Sequence, residues 1–271
     1  MKMRQFRWLF AIVLAGLTAI ILTACDNPTS FRDNNDDYEY ESTADIDLTI
    51  SIGNHDGIEV NNVNGPLEII TVPGLTQIHV AGERIARARS QRRADDLLDA
   101  LTYSVGNNGS KMVVHSQYPE NTKDSDELQI RYIITIPQNW SVEANLVLGS
   151  VDIDTLGGDA IINVTDGNIH LRKVEGNLLA DLVNGNIYAN VDLPQNHSCQ
   201  INVVNGLIEF SIPSNSNVDF LATVTNGLLT LNNLTLTNMV STARSVQGRI
   251  GNGGSQIKLQ TVNGSILASG Y

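Results

Sequence analysis

With 271 residues, a formal net charge of −12 and few aromatic residues, the chain is long enough for one elongated domain or two packed ones. It is too acidic to present the broad Lys/Arg face that a nucleic acid partner requires. Many Asn, Thr, Ser and Gly beside abundant Val, Ile and Leu favour short strands and turns over helices.

Lys2, Arg4 and Arg7 precede an almost unbroken apolar stretch over residues 8–21, shorter than the roughly 20 residues that cross a bilayer comfortably, which is a signal-peptide profile. Leu22-Thr23-Ala24-Cys25 then resembles the lipobox of bacterial lipoproteins, so residues 1–24 read as the signal peptide and Cys25 as the lipid attachment residue. That resemblance implies a diacylglyceryl group on the Cys25 sulfur and an acyl chain, palmitate for example, on its amine. More than one buried chain is what stable anchoring requires. Asp26 resembles the signal that retains lipoproteins in the inner membrane of enteric Gram-negative bacteria. The expected location is therefore extracytoplasmic and lipid-anchored, on the outer leaflet of the inner membrane in such a lineage. From Cys25 to residue 43 the chain is polar and acidic without apolar periodicity, the composition of a flexible tether spanning on the order of 20–25 Å. Asp33, Asp36 and Asp37 read as solvated tether residues, not metal ligands.

Residues 44–135 read as a β block with one helix. Strands are expected over residues 46–70 around Asn64-Gly65, and a polar, charged stretch begins at His79. Residues 85–101 lack Gly and Pro and place Leu97, Leu98 and Leu101 on one face, which predicts a helix. Arg84, Arg87, Arg89, Arg92 and Arg93 crowd its start and Asp95, Asp96 and Asp99 its end, an order that opposes the helix dipole. Strands are then predicted over residues 101–105, 111–115 and 128–136, and the block is expected to cap one end of a coil stack.

Residues 136–271 carry the repeat. Val, often one spacer, then Asn-Gly or a close relative recurs, and glycines 149, 167, 185, 206, 227, 248 and 264 mark the turns at intervals of 18, 18, 21, 21, 21 and 16 residues. Longer phrases starting at Ile136, Leu193 and Ile212 share an aliphatic-Pro entry, an alternating strand, a glycine turn and a second strand. A finer beat of nine residues passes through Gly149, Gly158, Gly167, Gly176 and Gly185. Asn-Gly is also a strong hairpin signal, but one phrase recurring in one frame favours a β-solenoid over an antiparallel sandwich. Asp166, Asn184, Asn205, Asn226, Gln247 and Asn263 should then stack as a structural amide column at about 4.8 Å per coil, over five to seven coils and roughly 25–35 Å. Cys199 fills the place of Val142 in the preceding copy and reads as a packed core residue.

Three features together resemble the bacterial "putative adhesin" family of β-strand-repeat domains of unknown function: the Ile136-Pro137 entry, the pulses Gly149-Ser-Val-Asp-Ile153, Gly167-Asn-Ile-His-Leu171 and Gly185-Asn-Ile-Tyr188, and the strand-helix-strand block ahead of them. The resemblance spans residues 44–271 and implies a right-handed β-helix-like fold in an extracytoplasmic protein. It defines no functional residue.

Polysaccharide-cleaving β-helices use clustered carboxylates. Asp152 and Asp154 share one strand face, neighbouring coils offer Asp166 or Asp181, and no basic residue is evident in a matching frame. The five histidines show no metal-ligand spacing, Gly157-Gly158-Asp159 is the one fragment near a calcium nonapeptide, and no catalytic or cofactor signature is present. The sequence therefore reads as a scaffold or binding protein, not an enzyme, without a cofactor or a metal. Its contact would run along a sheet face lined by Thr, Asn and Ser, or by strand addition at a last coil near residues 265–267. Besides the membrane, the expected partners are a surface glycan, an envelope protein or another copy of itself. The alternatives are an accessory or sensor subunit of an envelope-stress system and a glycan-active enzyme.

Overall fold

The computed structural model describes residues 39–271. The expected signal peptide, Cys25, Asp26 and the expected tether up to residue 38 lie outside the described residues. In chain order the elements are β1 (Tyr40–Ser51), β2 (Gly57–Asn64), β3 (Leu67–Val72), β4 (Gln77–Ala88), α1 (Gln91–Ala100), β5 (Thr102–Asn108), β6 (Lys111–Gln117) and β7 (Glu127–Pro137). Four two-strand units follow: β8 (Ser141–Leu148) with β9 (Val151–Leu156), β10 (Ala160–Asp166) with β11 (Ile169–Val174), β12 (Leu178–Asn184) with β13 (Ile187–Val191), and β14 (Ser198–Asn205) with β15 (Ile208–Ile212). The chain ends with β16 (Val218–Asn226), β17 (Leu229–Asn232), β18 (Thr237–Ser241), β19 (Ser245–Ile250), β20 (Ser255–Asn263) and β21 (Ile266–Gly270).

Each repeat is one coil of a β-solenoid. Its first strand joins an eleven-stranded sheet, here sheet B, ordered β18-β19-β16-β20-β14-β12-β10-β8-β2-β6-β5. After a glycine corner its second strand joins a ten-stranded sheet A, ordered β1-β4-β7-β3-β9-β11-β13-β15-β21-β17. Neighbouring coils pair in parallel and in register, for example Ala160↔Leu178 and Ile169↔Ile187. Counting back from each corner glycine, the third and fifth residues point inward, as Ala180 and Leu182 do before Gly185. The second and fourth residues after it, Ile187 and Ala189, do the same from the other sheet. The aliphatic side chains between the sheets form one continuous core, each large one contributing about 1.5–3 kcal/mol on burial.

The corner itself demands glycine. Gly185 and Gly206 have φ of 132° and 148°, and a Cβ at Gly206 would run into the carbonyl oxygen of Gly185 in the coil beside it. The nine-residue beat has its own explanation: Gly158 and Gly176 stack on each other at the opposite corner of the coil.

Four expectations need correction. First, the helix is α1 alone. Residues 85–88 belong to β4, a twelve-residue strand paired to β1 and β7, so the cluster of arginines begins on a strand and not on a helix. Ser90 caps α1 by accepting from the Arg93 backbone N–H, and Arg84, reaching from β4, donates to the carbonyls of Leu98 and Leu101. A cation thus sits at the end where the helix dipole favours one. Second, the expected tether over residues 25–43 cannot include residues 40–43, because β1 already begins at Tyr40, and Ser42 is buried with its hydroxyl donated to Asp95. Third, the solenoid begins before residue 136. β2 and β3, joined at Gly65, form a coil in register with β8 and β9, and the parallel pair β6 and β7 lies on its other side. The antiparallel strands β1, β4 and β5 with α1 complete this end.

Fourth, spatial order departs from chain order at the carboxyl end. The last coil, β20 and β21, lies between the β14–β15 coil and the β16–β17 coil, paired in parallel on both sides. The β18–β19 hairpin covers the far edge of β16, which leaves the gap facing β14 as the place where a final parallel coil fits. Residues 265–267 are therefore interior to the stack, and they offer no free edge for strand addition.

Candidate functional site

On the outer face of sheet B the repeat generates a periodic surface. The residue four places before each corner glycine points outward and is polar: Asn61, Asn145, Asn163, Asp181, Asn202, Gln260 and Thr223 in stacking order. Asn145 donates to Asn61 at 3.0 Å, Asn163 to Asn145 at 2.8 Å, and Asn202 to Asp181 at 2.6 Å. The residue two places before the glycine also points outward, and here it is Val or Thr. Val63, Val147, Val183, Val204 and Val262 are all exposed at 41–50%. Together these rows line a groove of about 680 Å³ crossing six adjacent strands, β8 to β16 in space, and so about 24 Å long. Asp181 is the one charged side chain lining it, and its carboxylate already accepts from Asn202.

The amide column expected from the sequence borders the same groove, one place before the glycine. Asn184 donates to Asp166, Asn205 to Asn184, Asn263 to Asn205 and Asn226 to Asn263, at 2.6 to 2.9 Å. Gln247 is not part of it, and Gly248 is not a corner. Gln247 pairs with Leu221 and Gly248 with Phe220 inside the antiparallel β16–β19 ladder. The 16-residue step from Gly248 to Gly264 is shorter than the 18 residues of the tightest coil, and that was the available signal. The glycines that do form corners are Gly149, Gly167, Gly185, Gly206, Gly227 and Gly264, joined by Gly65 of the first coil. Gly206 donates its N–H to the carbonyl of Asn263, and Gly264 to that of Asn226. Sequence reasoning missed the inner ladder of Asn61, Asn145, Asn163, Asp181 and Asn202. A fixed offset of four from the corner glycine would have exposed it.

Sheet A carries a different outer face. Asp152 and Asp154 lie on β9, in register with His170 and Arg172 of β11, so basic partners do stand in the matching frame. His170 Nδ1 approaches Asp152 at 3.2 Å, Arg172 reaches Asp152 at 3.9 Å and Asp154 at 3.7 Å, and the His170 ring stacks on Tyr188 at 5.0 Å. All four side chains are solvent-accessible, which makes them a weak surface cluster. Asp166 and Asp181 do not join it, since β10 and β12 belong to the other sheet. Cys199 is fully buried, aligned with Leu178 and Ile257, and burial pushes its thiol pKa up and away from reactivity. Among the described residues no group of three His, Cys, Asp or Glu side chains is arranged to hold a metal ion, and no helix is long and apolar enough to cross a membrane.

Residues 42–267 match the family described as Toastrack DUF4097. No curated protein matches the chain. Among crystal structures, a "putative cell adhesion protein" from Clostridium sporogenes shares the fold at 10% identity, covering 85% of this chain and 100% of that one with a TM-score of 0.50. A "putative adhesin" from Bacteroides fragilis (10% identity, 86% and 98% covered, TM-score 0.26) and another from Parabacteroides merdae (10% identity, 85% and 96%, TM-score 0.25) also match along their length. Their superposition is too loose to add to the argument.

Proposed function

The chain belongs to the Toastrack DUF4097 family, and from that premise we propose that it is an extracytoplasmic, lipid-anchored scaffold that binds a linear, weakly charged polymer along the groove of sheet B. The anchor rests on the lipobox-like Leu22-Thr23-Ala24-Cys25. One observation carries the binding reading: donors, acceptors and exposed valines repeat at the coil spacing over six strands with a single carboxylate among them. Such a surface suits a chain with its own short repeat, hydroxyl-rich and uncharged, lying parallel to the solenoid axis. A cell-wall or surface glycan has that chemistry. Monomeric soluble proteins rarely leave a continuous apolar strip uncovered, and where they do it tends to be a contact surface.

The test is co-sedimentation of the full chain with isolated envelope glycan. Replacing Val183 and Val204 with Glu places two carboxylates in the middle of the groove without touching the core, and binding should fall at least tenfold. Replacing Asp152 and Asp154 with Asn should leave binding unchanged. The reverse pattern would move the site to sheet A and revive a glycan-active reading of the Asp152–His170 cluster. Mass spectrometry of the mature amino terminus tests the anchor separately, since an unmodified Cys25 would remove it.

A further inference from the structure

The two ends of the stack are built differently. At the amino end the outermost strand of sheet A is β1, twelve residues long, which carries Glu41, Asp45 and Asp47 and is backed by α1. Charges on an edge are a common protection against pairing with another chain. At the carboxyl end the outermost strand of sheet A is β17, paired with β21 on one side and, among the described residues, with no strand on the other. Residues 220–243, which include all of β17 and β18, contain no Asp, Glu, Lys, Arg or His, in a chain whose net charge is −12.

The core is also open there. Leu229, Leu231, Leu234 and Leu236 pack on the apolar column but stay partly exposed, whereas the equivalent positions one coil inward, Ile266 and Ala268, are buried. Leu228 is 73% exposed, and Met239 and Val240 of the neighbouring segment are 54% and 65% exposed. Among the described residues this end therefore combines an unpaired strand edge at β17 and unfinished apolar burial in a segment without charged side chains, while Arg244 and the Arg249–Asp219 pair lie beside it on the sheet B side.

We propose that this end docks against the same end of a second copy, β17 beside β17 in antiparallel register, giving a closed two-fold dimer. A copy of the same chain is the occupant that the charges favour. Two molecules at −12 repel each other over most of their surface, and the uncharged segment over residues 220–243 is where they meet without burying like charges. A strand pairing antiparallel with its own copy is related to it by a two-fold axis and leaves no further edge of the same kind, so growth stops at two. Head-to-tail stacking would instead bring the acidic β1 edge against β17. The dimer places the two Tyr40 ends at opposite extremes. The inference uses only the carboxyl end of the solenoid and is independent of what the sheet B groove binds.

The full chain, purified in detergent, is followed by light scattering coupled to size exclusion across a range of concentrations. The protein mass should pass from one copy to two. Leu228→Lys combined with Thr230→Lys, both at exposed positions, should halve the mass at the highest concentration while leaving the circular dichroism spectrum and melting temperature unchanged. The groove variant Val183→Glu/Val204→Glu should dimerise like the parent, which separates failure here from failure of the glycan reading. A parent that stays at one copy throughout, an end variant that still dimerises, or growth beyond two copies would each overturn the proposal.

Discussion

Replacing Gly206 with Ala tests the stacking of corners directly. At φ of 148° any residue with a Cβ is strained, which costs on the order of 1–3 kcal/mol. The added methyl also meets the carbonyl oxygen of Gly185, a backbone atom that cannot swing aside. Relief requires the two coils to part locally, which stretches the Gly185 N–H to Asn205 carbonyl bond of 3.0 Å and the Asn205–Asn184 amide bond of 2.8 Å, each worth about 0.5–1.5 kcal/mol. The total expected loss is about 2–6 kcal/mol, a large share of the roughly 5–15 kcal/mol that holds a domain folded. Urea unfolding followed by far-UV circular dichroism measures it. Gly106→Ala is the control, because a Cβ at Gly106 in β5 meets nothing and its backbone is already in a range open to alanine. That change should be neutral or slightly stabilising. If Gly206→Ala cost no more than Gly106→Ala, the corners would not be superimposed and the solenoid account would fail.

Deleting residues 255–271 should do more than remove a tail. It opens the slot between β14–β15 and β16–β17, and hydrogen exchange should accelerate across residues 218–232 as well as at the new end; protection unchanged there would contradict the inserted last coil. Asn62 occupies an inward position that is aliphatic in most other coils, and it donates to the Ile130 carbonyl at 2.8 Å while accepting from Tyr118. Asn62→Leu restores the repeat rule yet takes the 2.8 Å donor from the Ile130 carbonyl and leaves Tyr118 with the Asn64 backbone alone, so it should destabilise by about 1–3 kcal/mol in the same urea assay, and a gain in stability would refute the assigned network. Burial pushes the Tyr118 hydroxyl up from 10.0 to about 12. A raised value means that its contribution is complete below pH 10 and is lost as pH rises through 12. Burial raises the Tyr132 hydroxyl as well, so tyrosinate absorbance should show late-titrating groups whose ionisation accompanies unfolding, and Tyr118→Phe should remove one of them. On the acid side, hydrogen bonds from Asn61 and then Asn108 hold Glu59 below its usual 4.5. That contribution is present above the usual carboxylate range and fades as pH falls beneath it, and Asn108→Ala should shift the acid unfolding midpoint upward.

The repeat was legible because its signals are local. A glycine at positive φ, an amide before it and aliphatic residues two and four places after it are demands that each coil makes on its own few residues. Sequence alone therefore yielded the strand-corner-strand unit, the column through Asn184, Asn205 and Asn263, and the packed character of Cys199. It also pointed to a lipobox at Cys25, on residues the structure does not describe. The order of the coils was decided by tertiary packing. Nothing in residues 255–270 distinguishes a coil added at the end from one inserted between two others, because both use the same parallel register, and the choice falls to which edges the β18–β19 hairpin leaves open. Gly248 misled for the same reason, since Val-Gln-Gly fits a corner and a straight antiparallel strand equally well until its partner is known. Residues 85–88, the start of the expected helix over 85–101, became strand because β1 and β7 offered two ladders of hydrogen bonds, which outweigh a weak helical preference. The groove, too, exists only in three dimensions: each coil supplies one outward Val or Thr and one outward amide, and stacking at a constant spacing turns those scattered pairs into a continuous surface.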